Sequence, residues 1–170
     1  MKNSLIKKVT MAVCSVLTLI MLLFVKVSAT NTLVMGEDYT RETAAGSSSF
    51  FAFLSDAAQD NSFVLARVFM WAGFILVLLC TVYFIALLVL SLMGKDKLVT
   101  KLNLVTRIAQ GVLVFALILI LFAGLDEKSE DKFKDMGIVE TLSISLFGVP
   151  FMLALVFGVS PIACEYLVKE

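Results

Sequence analysis

The chain has 170 residues, 60% of them hydrophobic and 16% charged, with 14 Lys+Arg exactly offset by 14 Asp+Glu. So apolar a composition exceeds what a soluble domain of this length can hide, and it predicts an all-α integral membrane protein whose first partner is the lipid bilayer. Balanced charge gives no electrostatic footprint for nucleic acid, and the lack of histidine, with only three dispersed cysteines, removes the usual ligands of zinc, haem and copper.

The N-terminal stretch carries Lys2, Lys7 and Lys8, then the apolar run Val9–Val25, then Val27-Ser28-Ala29. A basic start, an apolar centre and small residues at the end are the layout of a bacterial secretory signal peptide cleaved after Ala29. The run is also just long enough to cross a bilayer, and Lys26 sits unusually close to the cleavage position. Residues 1–29 are therefore read as a signal peptide or as a first transmembrane helix. Both readings place the amino-terminal lysines inside and the next segment outside.

Residues 30–62 form the longest polar segment, with Glu37, Asp38, Glu42, Asp56 and Asp60 against Arg41. Ala44-Ala45-Gly46-Ser47-Ser48-Ser49 has the composition of a flexible connector. Phe50, Phe53, Leu54, Ala57 and Ala58 then recur at helical spacing, which predicts a short amphipathic helix over 50–58 capped by Ser49. Packing of that helix on the bundle is the plain expectation, and a lid or partner-binding role is the alternative. Asn61-Ser62 offers a break before the next helix.

The membrane domain is expected over 63–168, with helices at about 63–93, 97–125 and 138–168. Val68–Met93 contains no charged residue and exceeds the roughly 30 Å hydrocarbon core in length. Unbroken apolar stretches such as Ile75-Leu76-Val77-Leu78-Leu79 lack the alternation of a barrel strand. Trp71 near the outer end is an interfacial anchor. Thr81, Tyr83 and Ser91 are small polar points, read as interhelical hydrogen bonds and not as a transport path. The connector Gly94–Asn103 carries Lys95, Lys97 and Lys101 against Asp96, with Arg107 just beyond, so it faces the cytoplasm. Asp96 is read as the cap of the following helix. Arg107 reads as a residue reaching the headgroups along its own stem, with a gating or anion-binding arginine inside the bundle as the alternative.

Asp126–Asp135 holds five acidic residues against Lys128, Lys132 and Lys134, and the Glu130/Lys134 spacing suggests a short solvated helix. It lacks the glycine and ligand order of a calcium loop. In the last run, Ile138–Leu167, Pro150 is the expected kink, and Ala154 and Gly158 form a small-xxx-small step. The outcome is a bundle of three transmembrane helices after a signal-like helix, four if that helix is not cleaved. Acidic connectors lie outside, and the basic connector and the C-terminus lie in the cytoplasm of a bacterial cell.

No phosphate loop, His-paired nucleophile or metal-protease motif is present, and the ionisable residues fall at helix ends. Catalytic, cofactor-binding and metal residues are all expected to be none. The expected role is a non-enzymatic subunit, structural or accessory, that forms homo- or hetero-oligomers with other membrane proteins. A pore, transporter or translocation-channel component is the alternative.

Overall fold

In a computed structural model of the protein, residues 2–35, 39–55, 64–123, 127–133, 138–146 and 148–167 are described. In chain order they form α1 (Lys2–Leu23), β1 (Lys26–Met35), β2 (Tyr39–Ser49), α2 (Phe50–Ser55), α3 (Val64–Leu92), α4 (Asp96–Lys101), α5 (Asn103–Ala123), β3 (Glu127–Phe133), β4 (Ile138–Ser145) and α6 (Val149–Leu167).

The long helices pack as a closed ring in the order α1, α3, α5, α6, with the seam between α3 and α5 the most extensive and that between α5 and α6 the slightest. Periodicity explains the seams. On α3 the buried positions are Ala66, Met70, Gly73, Val77, Cys80, Thr81, Phe84 and Leu87, and on α5 they are Thr106, Gln110, Leu113, Ala116, Leu117, Ile120 and Ala123. These steps of three and four residues draw one stripe along a helix, the pattern of helices packed nearly parallel or antiparallel. α1 contributes Met11, Ala12, Ser15, Thr18 and Leu22, and α6 contributes Phe151 and Ala154. The opposite faces are apolar too. Leu79, Val82, Leu104, Ile108, Phe122 and Val156 are all more than half exposed, so both the inside and the outside of the ring reject water. Among the described residues three helical stretches, Ser4–Leu23, Val64–Leu92 and Asn103–Ala123, are long and apolar enough to cross a membrane, and α6 holds the shorter apolar stretch Val149–Ala163. At 1.5 Å per residue α3 spans about 43 Å and α5 about 32 Å.

The all-α expectation is too narrow. Four strands form an antiparallel sheet in the order β2-β1-β4-β3 at the end of the ring where α1 and α5 finish and α3 and α6 begin. β1 is central, pairing β2 from Lys26 opposite Ser49 to Met35 opposite Tyr39, and β4 from Ser28 opposite Ser145 to Met35 opposite Ile138. Ala44–Ser49 is therefore part of a paired strand and not a loose connector. The solvated helix expected over Asp126–Asp135 is replaced by β3, which pairs β4. Residues 138–145 of the expected last helix are strand β4, so that helix starts only at Val149. Their content of Ile138, Val139, Thr141 and Ile144 suits a pleated strand better than a helix, since branching at Cβ restricts the side chain against the preceding helical turn.

Two more boundaries differ. The helix expected over 97–125 is broken at Leu102, giving α4 and α5, and Asp96 is the first helical residue of α4 with Lys95 in the cap position. Pro150 is the second residue of α6, where an amide hydrogen has no helical acceptor to lose, so it introduces no kink; the interior proline is Pro161. α2 runs over Phe50–Ser55, and residues 56–58 of the expected amphipathic helix, like Asn61 and Ser62, lie outside the described residues. Its start is as expected: Ser49 Oγ accepts the Ala52 amide at 3.2 Å, closing the N-cap. Phe50, Phe53 and Leu54 are buried, and the Phe50 amide donates to the Val25 carbonyl at 3.1 Å, which moors α2 to the α1–β1 junction.

Candidate functional site

The buried polar residues are short and scattered through a hydrocarbon core, and each has a hydrogen-bond partner. Ser15, Thr18, Thr81, Thr106 and Gln110 are the buried polar residues among those described. Ser15 donates to the Ala12 carbonyl and Thr18 to the Cys14 carbonyl, both at 2.9 Å, so their hydroxyls are satisfied within α1. Thr81 donates to the Val77 carbonyl at 2.8 Å and lies 3.3 Å from the Ser15 carbonyl, which joins α3 to α1. The Tyr83 hydroxyl meets Thr106 Oγ1 at 3.0 Å and the Leu102 carbonyl at 3.4 Å, joining α3 to α5, and Cys80 Sγ adds a donation to the Ala109 carbonyl at 3.4 Å. Gln110 reaches across the ring, its Nε2 lying 3.8 Å from Met11 Sδ on α1. Lys8 Nζ donates to Ser91 Oγ at 2.9 Å and closes the end of the ring that lies away from the sheet.

The arrangement is a band of ties among α1, α3 and α5. Thr81, Tyr83 and Ser91, the three polar points singled out in the sequence, all make interhelical hydrogen bonds. Gln110 is the residue that sequence reasoning missed. Its place seven residues along α5, on the same stripe as Thr106 and Leu113, was the available signal. A hydroxyl that donates to the carbonyl four residues earlier is stabilised as a donor and is not activated as a nucleophile, which needs a base within hydrogen-bond reach. The chemistry this band can perform is adhesion between helices.

Close backbone approach supplies the rest of the adhesion. A Cβ placed on Gly73 would lie 2.5 Å from Ile120 Cγ1 and 2.7 Å from the Ala116 carbonyl oxygen. Only glycine allows α3 and α5 to sit this near. Gly158 faces Leu117 of α5 and Thr18 of α1, so the small-xxx-small step of α6 turns inward.

At the sheet end, Arg67 stacks its guanidinium 5.3 Å from the centre of the Phe53 ring, and Phe50, Phe51 and Phe74 form an aromatic cluster with centroids 5.1–5.9 Å apart. Arg67 thus pins α2 to α3. Arg107 is exposed on the outside of the ring, which corrects the alternative of a gating arginine inside it. Cys80 and Cys14 are not joined in a disulfide. Among the described residues no group of three or more His, Cys, Asp or Glu side chains is placed to hold a metal ion.

The fold and this band define a class: a helical bundle of membrane-crossing dimensions, tied internally by hydroxyls and an amide, with a small antiparallel sheet at one end. No family model matches the chain, and no curated protein or solved structure matches it either.

Proposed function

We propose that the chain is a non-enzymatic multi-pass protein of a bacterial cell membrane that assembles with other membrane subunits in a structural or accessory role. The observation that carries this reading is the use of the interior polar groups. Thr81, Tyr83, Ser91 and Gln110 tie α1, α3 and α5 together, and Ser15 and Thr18 are satisfied within α1 itself. A transport path or reacting centre draws on buried groups that change partner or protonation, and the residues of this band are already committed.

In this reading α1, α3, α5 and α6 all cross the bilayer. The basic connector around α4 faces the cytoplasm by its charge, the sheet stands on the outer side, and the C-terminus returns to the cytoplasm. α6 is the shortest span, about 28 Å by its 19 residues.

Of the two readings of the N-terminus, we adopt retention. Two features support it. α1 fills one corner of the ring, with Leu22, Ser15 and Thr18 fully buried. The bond after Ala29 also falls within the central strand β1, paired on both sides. Cleavage there would remove a quarter of the ring and cut the strand on which the sheet is built.

The test is purification in mild detergent with mass measurement, then ion and solute flux after reconstitution in liposomes. Particles heavier than one chain, without flux, are expected. Flux through liposomes containing this protein alone would favour the pore or transporter reading instead.

A further inference from the structure

Among the described residues β2 and β3 each pair with one strand and so form the two edges of the sheet. β1 starts where α1 ends and β3 follows α5, so both run away from the bundle, whereas β2 leads back to α2 and β4 leads back to α6. Across the order β2-β1-β4-β3 the directions therefore alternate strictly, and the edges differ: β2 descends and β3 ascends.

That difference restricts what can pair with what. Copies of one chain in a membrane share an orientation, so they are related by rotation about the membrane normal. Under that rotation β2 against β2, or β3 against β3, would be parallel. β3 of one copy against β2 of the next is antiparallel and continues the alternation without a break. It is a head-to-tail contact, which closes into a ring of copies when the rotation allows.

The register adds complementarity. Glu130 lies opposite Glu140, Glu140 opposite Leu33, and Leu33 opposite Arg41, so one row of the sheet reads Arg41, Leu33, Glu140, Glu130 from edge to edge. Its β3 end has acidic residues at two neighbouring register positions. Its β2 end has a basic residue, Arg41, at the matching register position. A further row reads Tyr39, Met35, Ile138, Phe133. Set edge to edge at equal height, a second copy would place Arg41 beside Glu130 and Tyr39 beside Phe133, one opposite-charge and one aromatic pair, both favoured across strands. The irregularity between Glu130 and Phe133 does not disturb this, because these residues already pair β4 positions two apart, Glu140 and Ile138, and Arg41 and Tyr39 are likewise two apart.

We propose that the β3 edge of one copy docks on the β2 edge of a second copy of this chain, joining their sheets into one on the outer side of the membrane. This rests on the assembly reading above and names its partner.

The test uses the full chain with Cys14, Cys80 and Cys164 replaced by alanine. Thr43 and Lys128 occupy the two ends of another row, through Asn31 and Leu142. Within one copy they are three strand spacings apart, about 14 Å, too far for a disulfide. Across the proposed contact their Cα atoms would be about 5 Å apart, within reach of one. Mild oxidation of T43C/K128C in membranes should give a ladder of crosslinked multimers, and either single substitution should give none. E130R or R41E added to the pair should reduce the crosslinked fraction by about threefold, the factor expected of a cross-strand charge pair, and E130R with R41E together should restore it. Multimers of the parent protein by mass, without a T43C/K128C ladder, would overturn the edge contact while leaving assembly through another surface intact. A single-chain mass and no ladder would overturn both. A ladder indifferent to E130R and to R41E would overturn the charge row.

Discussion

Gly73 and Gly158 are both enclosed, yet they differ in what surrounds them. At Gly73 one of the two nearest atoms is the backbone oxygen of Ala116, which cannot rotate away, and the other belongs to Ile120, itself fully buried. Gly73→Ala should therefore push α3 and α5 apart and cost about 1–3 kcal/mol, the usual penalty for overpacking. Gly158 meets the far end of the Leu117 side chain. A rotamer change there absorbs part of the clash, so Gly158→Ala should cost less. Thermal unfolding in detergent ranks the two, and a Gly73→Ala protein that melts with the parent would contradict the close approach. The Tyr83–Thr106 contact makes a second residue-scale test. A double-mutant cycle with Tyr83→Phe and Thr106→Val should give a coupling of about 0.6 kcal/mol, typical of hydrogen bonds between membrane helices, and a coupling near zero would mean the hydroxyls do not hold α3 to α5. At this scale the sequence was informative where polarity stood out. Thr81, Tyr83 and Ser91 are visible against unbroken Leu, Val and Ile. The closeness at Gly73 was not legible, because a glycine in an apolar helix looks alike whether it faces lipid or a neighbouring backbone.

The elements were legible in proportion to how local their causes are. α3 was placed within a residue or two because an uncharged run of that length has one stable form in lipid, a helix that satisfies its own backbone. α2 and its Ser49 cap were read from spacing and a single hydroxyl. The sheet was missed because its pairings are remote. β4 pairs with β1, more than a hundred residues earlier, and nothing within Ile138–Ser145 records that partner. From Thr141 onward its sequence runs into α6 with no charged residue between. The alternation of Leu142 and Ile144 with Ser143 and Ser145 was the signal left unused. The corrected boundary moves a prediction from one proline to the other. Pro150→Ala, in the first turn, should change stability by no more than about 0.5 kcal/mol. Pro161→Ala restores an amide donor inside α6, and because Pro161 is buried it should alter how α6 seats against the ring and shift the melting temperature measurably. Equal effects from the two substitutions would contradict the placement of the helix start.

For the whole molecule, the ring of α1, α3, α5 and α6 makes the N-terminal helix a structural member. Intact mass of the purified protein should correspond to a chain that still carries residues 2–29. A mass matching a chain that begins at Thr30 would leave α3 and α6 without the helix they share, and would require the ring to be rebuilt by another partner. The same packing couples sidedness to fold. Every described strand lies at one end of the ring and the α4 connector at the other, so if the proposed four crossings hold, a single comparison tests both the crossing and the direction of the chain.

That comparison is labelling by a membrane-impermeant thiol reagent in intact cells, in the background lacking Cys14, Cys80 and Cys164. One new cysteine replaces Glu37, between β1 and β2 in the chain, and the other replaces Lys97, exposed on α4. Glu37→Cys is expected to label in intact cells, and Lys97→Cys only after the membrane is opened. Labelling of Lys97→Cys but not Glu37→Cys in intact cells would reverse the orientation, and equal labelling of both would show that α3 does not cross the membrane.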